Sequence, residues 1–189
     1  MANKVKYGIK NVHYAVGTPA NDGTMTYATP VRIPGAVNLS LEAQGESTPF
    51  YADDGVYFVG NSNSGYSGDL EVAKFPQSFL TDVLGMKADT NGIVYEDANA
   101  PVVHFALLFE FDGDEAATRY VFYDCTATRP AVASTTKTDT TEVQTESSTI
   151  TATSVYNSGV DAYIPKAFAE TTQTPYSTWY ESVYQPSGE

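Results

Sequence analysis

Apolar residues in this chain alternate with polar ones far more often than they recur at helical spacing, and this predicts strands almost throughout. In Val37-Asn38-Leu39-Ser40-Leu41-Glu42-Ala43-Gln44 one face reads Val37, Leu39, Leu41 and Ala43 while the other is polar, the pattern of a half-buried strand. From Val102 to Phe111 both faces are apolar, with Phe105, Leu107, Phe109 and Phe111 opposed to Ala106 and Leu108. This predicts a central or interface strand covered on both sides. Asp112-Gly113-Asp114-Glu115 supplies turn chemistry, and alternation resumes from Thr118 to Cys125, so the two runs are expected to pair as a long antiparallel hairpin.

Helical signals are few. Pro76 suits the first turn of a helix, Phe79, Leu80, Val83 and Leu84 share one face, and Gly85 is placed to end it. Near the C-terminus, in the aromatic segment 175–189, Tyr176, Trp179, Tyr180 and Val183 fall at helical spacing, which suits either a short helix or an extended arm.

Two stretches depart from simple alternation. Between Ser134 and Ser154, 13 of 21 residues are Ser or Thr, a composition shared by low-complexity linkers and by strands in contact with water. The absence of Gly and Pro and the high β-propensity of Thr favour a strand from Val143 to Val155, polar on both faces, as suits a sheet that borders a water-filled lumen. The stretch 45–68 is rich in Gly, Asn, Ser and Asp yet carries Phe50, Tyr51, Tyr57, Phe58 and Tyr66. So many aromatics in a projecting loop predict packing against a neighbouring subunit, the alternative being a hairpin folded over its own core.

A length of 189 residues with 42% hydrophobic content is enough for one sizeable core, and one domain spanning 1–189 is expected. The opening residues show no apolar run behind the lysines, so neither a signal peptide nor a spanning helix is expected, and synthesis in a cytoplasm follows. The single cysteine, Cys125, reads as a small core residue. The net charge of -13 argues against gripping nucleic acid, which requires cations against phosphates. The acidity is concentrated: four cations face three carboxylates in residues 1–50, two face twelve in 51–118, and four face eight in the remainder. Solubility through self-repulsion is one sufficient reason for it.

Catalytic chemistry is not apparent. His13 and His104 sit within alternating strand segments and read as structural. Gly60-Asn61-Ser62-Asn63-Ser64 resembles a nucleophile elbow until Ser64 takes the place of the final Gly. There is no phosphate loop, dinucleotide fingerprint or zinc-spaced Cys/His pair. Asp53-Asp54 and Asp112-Gly113-Asp114-Glu115 lack the spacing of a calcium loop and read as turns. No enzyme activity, metal or cofactor is therefore expected. A carbohydrate-binding β-sandwich module would also suit acids and aromatics, although the aromatics here are spread over at least four segments. A glycosidase would need two opposed carboxylates, which a sequence does not reveal.

Several segments, in order, carry a resemblance: Tyr7-Gly8-Ile9-Lys10-Asn11-Val12-His13-Tyr14, Pro34-Gly35-Ala36-Val37-Asn38-Leu39-Ser40-Leu41-Glu42, Thr48-Pro49-Phe50-Tyr51-Ala52-Asp53, Gly65-Tyr66-Ser67-Gly68-Asp69-Leu70-Glu71, and the run from Phe105 to Asp114. Together with Thr81-Asp82-Val83-Leu84-Gly85, Thr118-Arg119, Cys125, Arg129-Pro130 and Glu142-Val143-Gln144-Thr145-Glu146, the chain resembles the phi13-type major tail proteins of long-tailed phages of Gram-positive bacteria. The match is weaker from Ser154 to Thr174.

The resemblance implies a mainly β fold, a two-sheet sandwich with one flanking α-helix, whose strands join a ring barrel on oligomerisation. It implies stacked hexameric rings forming the virion tail tube, a hollow conduit for DNA delivery, assembled in the host bacterial cytoplasm. The implied partners are further copies of the chain, a tape-measure protein, a tail terminator and a distal tail protein, with double-stranded DNA passing through unbound and no membrane involved. On this basis Phe50, Tyr51, Tyr57, Phe58 and Tyr66 are candidate subunit-interface residues. Asp53, Asp54, Glu142 and Glu146 are candidate lumen carboxylates.

Overall fold

The computed structural model describes residues 5–113, 116–136 and 143–188. The strands, in chain order, are β1 (Ile9–Pro19), β2 (Met25–Tyr27), β3 (Val31–Arg32), β4 (Ala36–Ala43), β5 (Ser47–Ala52), β6 (Gly55–Asn61) and β7 (Tyr66–Val72), followed by the helix α1 (Gln77–Asp82). Then come β8 (Lys87–Ala88), β9 (Val94–Tyr95), β10 (His104–Phe111), β11 (Arg119–Ala127), β12 (Glu146–Thr153), β13 (Val155–Asn157), β14 (Ala162–Ile164) and β15 (Lys166–Ala169), with a 3-10 turn at Thr174–Tyr176. The fold is mainly β, as the alternation predicts.

The main sheet is antiparallel, in the order β2-β1-β10-β11-β12-β7-β4, with β15 added to β11 and β3 to β1. It curls until β1 packs against β4. The two layers of the expected sandwich therefore belong to one continuous sheet. Inside the curl lies an aromatic-rich core to which β1 gives Val12 and Tyr14, β7 gives Leu70 and Val72, β10 gives Phe105, Leu107 and Phe109, and β12 gives Ile150 and Ala152. The helix closes one side of it. Pro76 stands just before the first turn, Phe79 is fully buried, and Gly85 at φ 70 ends the segment. Phe79 stacks on Phe75 and meets Tyr14 and Phe105 edge-on.

The sequence pattern of β10 explains a second core. Ala106 and Leu108 point to the outer face of the sheet, where they join Ala15, Val121, Tyr123 and Trp179. The C-terminal segment supplies the cover as neither a continuous helix nor an extended arm: after the 3-10 turn it runs as a series of turns that lays Trp179 onto the sheet. The Trp179 indole N–H donates to the Tyr120 carbonyl at 3.3 Å, and Tyr123 donates to the Tyr184 carbonyl at 3.0 Å. Glu110, buried on the same face, accepts from Arg119 at 2.8 Å and from Asn11 at 2.6 Å. The Arg119 guanidinium lies 3.9 Å from the Tyr176 ring centre and donates to the Tyr176 carbonyl at 2.6 Å, tying the segment to the buried carboxylate. Removing either partner of this pair would leave the other's charge buried without its counter-ion, which is strongly destabilising.

Both histidines are structural in placement. His13 stacks on Tyr180 at 4.5 Å, and His104 Nδ1 lies 2.5 Å from Asp124, whose other oxygen accepts from Thr153.

Candidate assembly surfaces

Most of the stretch 45–68 folds as the β5–β6 hairpin, which among the described residues is a two-stranded sheet with no ladder to the main one. Its turn is Asp53-Asp54, with φ of 50° and 61° at the two residues, a mirror-image turn whose twist suits a two-residue hairpin and which Asp tolerates. Phe50 pairs with Phe58 across the strands, and Tyr57 is the extra residue of a bulge between that pair and Tyr51–Val56. None of these side chains reaches a core. Phe50 is 60% exposed, Tyr51 65%, Tyr57 74% and Phe58 64%. A free hairpin is marginally stable in water, and these four rings give this one an exposed apolar surface. Tyr66 differs from the four: it lies on β7, half-buried, edge-on to Phe122 at 5.1 Å.

A second surface is the outer face of β4, β7 and β12. Along β12, Ser148, Ile150 and Ala152 face the core, while Ser147, Thr149, Thr151 and Thr153 are exposed. The expectation of a strand polar on both faces is thus corrected: Ile150 and Ala152 make the inner face apolar, and Val155 falls in the next strand and is buried. The ladder sets Thr149 opposite Asp69 and Ser147 opposite Glu71, and continues to Ser40 and Asn38 on β4. Thr149 donates to Asp69 at 2.7 Å and Thr145 to Glu71 at 2.5 Å. With Glu42, these carboxylates share a hydroxyl-rich face to which the three strands contribute no Lys or Arg. Gly68 permits it, because a Cβ there would overlap the Ser40 carbonyl oxygen and push β4 away from β7.

The carboxylates assigned from sequence fall apart in space. Asp53 and Asp54 stand at the hairpin tip. Glu146 is half-buried at the start of β12, where its carboxylate accepts the Phe75 backbone N–H at 2.8 Å. Glu142 lies outside the described residues. Asp69 and Glu71 were missed, although the alternation Tyr66-Ser67-Gly68-Asp69-Leu70-Glu71-Val72 places both opposite the buried Leu70 and Val72.

Third is a groove of about 310 Å3 at the open side of the curl, between Leu39 and Leu41 of β4 and the rings of Phe109, Phe111, Tyr120 and Phe122. Lys6 lies 4.7 Å from the Phe111 ring centre, and Lys166 lies 4.6 Å from that of Tyr66 and 5.9 Å from that of Phe122. Among the described residues no cluster of His, Cys, Asp and Glu has the arrangement to hold a metal, and no helix is long and apolar enough to cross a membrane.

A β-rich subunit with an unpartnered aromatic hairpin, a bare acidic sheet face and an aromatic groove belongs to the class of structural proteins built for assembly. The family model described as phage tail tube protein matches residues 2–185, and the chain belongs to that family. It is accordingly a structural component of a phage tail and not an enzyme. Two solved structures are similar in part. One is the sheath/tube terminator of an extracellular contractile injection system in its extended state, at 10% identity and a TM-score of 0.46, covering 89% of this chain and 99% of that one. The other is the tube-terminating cap of the anti-feeding prophage, at 12% identity and a TM-score of 0.36, covering 90% of this chain and 97% of that one. No curated protein sequence matches the chain.

Proposed function

We propose that copies of this chain close into hexameric rings that stack as the tail tube, with the outer face of β4, β7 and β12 turned to the lumen and the β5–β6 hairpin bound to a neighbouring copy. The observation that carries this reading is the change of character along one sheet face: covered and apolar over β1, β10 and β11, bare and hydroxylic over β12, β7 and β4. A strand that is apolar inside and polar outside suits a barrel around water, and joining strands around a ring removes the exposed edge at β4. Asp69, Glu71 and Glu42 on that face repel DNA phosphates, so that the genome slides without adhering. Of the carboxylates assigned from sequence, Glu146 adds less to this field because its charge serves the Phe75 N–H, and Asp53 and Asp54 travel with the hairpin.

Further partners in this reading are a tape-measure protein within the growing tube, a terminator at the head-proximal end and a distal tail protein at the tip, all joined in the host cytoplasm. Negative-stain electron microscopy of the purified protein over a concentration series tests it, alone and with the tape-measure and tip proteins added. Six-fold rings or hollow tubes are the expected result. A folded monomer under every condition sinks the proposal. The lumen assignment is tested in phage carrying Asp69→Lys with Glu71→Lys: normal tails with slowed or blocked DNA ejection are expected, and unimpaired ejection refutes it.

A further inference from the structure

We infer that the aromatic groove flanked by Lys6 and Lys166 is the socket on one copy that receives the acid-tipped β5–β6 hairpin of another; the inference rests on the hairpin being a contact between copies. The two surfaces are complementary in shape and charge. The hairpin offers exposed rings, Phe50 and Phe58 side by side, behind a tip made of two carboxylates. The groove offers half-buried Phe111 and Tyr120 and the edge of Tyr66, between two lysines.

Cations are scarce in this chain, ten against twenty-three carboxylates, and several of the rest are engaged. Lys10 pairs with Asp112 at 2.7 Å, Lys87 with Asp97 at 2.7 Å, Arg119 with Glu110 at 2.8 Å and Arg129 with Glu96 at 2.7 Å. Among the described residues neither Lys6 nor Lys166 has a carboxylate at ion-pair distance; each rests over rings instead. An ammonium held over a ring keeps its charge available, and a carboxylate delivered beside it gains an ion-pair partner.

The same copy cannot satisfy itself. Its own hairpin rings belong to neither core and remain largely exposed, so hairpin and groove are separate patches on one molecule. When a contact between two different patches is made in one direction only, it is heterologous and propagates head to tail, closing as a ring or extending as a filament, as a tube requires. Complementary charge at such a contact also sets its register, which a purely apolar hairpin in an apolar groove would leave loose.

The test uses assembled protein and carbodiimide, which joins a carboxylate to an amine without a spacer. Mixed heavy- and light-isotope subunits identify links between copies by mass spectrometry. Links from Asp53 or Asp54 to Lys166 or Lys6 are expected between copies, and only in the assembled fraction. Lys166→Glu should raise the concentration needed for assembly by about tenfold or more. Asp53→Asn with Asp54→Asn, a change that keeps the left-handed turn, should relieve part of that loss when combined with it.

Two outcomes overturn the socket while sparing the hairpin. In one, the tip carboxylates link to lysines outside the groove. In the other, Lys166→Glu assembles at the original concentration although Phe50→Ser with Phe58→Ser does not. If the Phe50→Ser, Phe58→Ser protein itself assembles normally, the hairpin contact fails and the socket with it.

Discussion

Replacing Phe50 and Phe58 together by Ser removes the cross-strand ring pair of the β5–β6 hairpin. Phe50 is 60% exposed and Phe58 64%, so rather more than half of each side chain is still available for burial against a partner. Full burial of a phenylalanine is worth about 1.5–3 kcal/mol, which leaves about 1–2 kcal/mol for each ring and about 2–4 kcal/mol for the pair at every contact. At 1.4 kcal/mol per decade, the concentration required for assembly rises about 30- to 700-fold. The fold itself should hardly change, because a cross-strand pair contributes only about 0.2–1 kcal/mol and this one touches neither core. Sedimentation of the variant across a concentration series, with electron microscopy of the pellets, reads the shift. Circular dichroism and thermal melting check the subunit. Tubes formed at the wild-type concentration would refute the reasoning, and so would a variant that fails to assemble because it has unfolded.

Other expectations concern the two cores. Trp179→Ala should cost about 3–5 kcal/mol in denaturant unfolding, since the indole is fully buried and donates to Tyr120, and it should open the C-terminal segment to limited proteolysis. Cys125 is fully buried and desolvation pushes its thiol well above the ordinary range, so thiol reagents should leave it unmodified until the protein unfolds. His13 is held below 6.5 chiefly by burial against Tyr180, then by the Arg32 charge, with the Asn11 carbonyl and Glu110 acting in the opposite sense. Its folded form binds a proton more weakly than the unfolded chain does. Its contribution to stability is therefore intact above pH 6.5 and declines as pH falls through 6.5 towards the lowered value. Melting at about pH 7.5 and about pH 5.5 should show a smaller loss for His13→Gln than for the wild type.

Periodicity determined the strand content, and with the turn residues after Phe111 and the Pro76 and Gly85 stops it also made β10, its pairing with β11 and the position of α1 legible, because alternation, turns and caps are local properties that packing preserves. Composition, not alternation, made Phe50, Tyr51, Tyr57 and Phe58 stand out in a stretch that reads as a projecting loop; that it is a two-stranded hairpin with these rings exposed came from the structure. Tertiary structure decided what each face meets. Tyr66 lies close to those aromatics in sequence yet serves the groove, because the ladder with β12 and β4 places it beside Phe122. Glu146 and Asp69 both read as acids in polar strands, but the β12–β7 ladder, which pairs Glu146 with Val72, sets the Phe75 N–H beside one, while the other stands on the outer face of β7. Burial, partner and charge environment depend on residues distant in the chain, and these are set by how one sheet closes on itself.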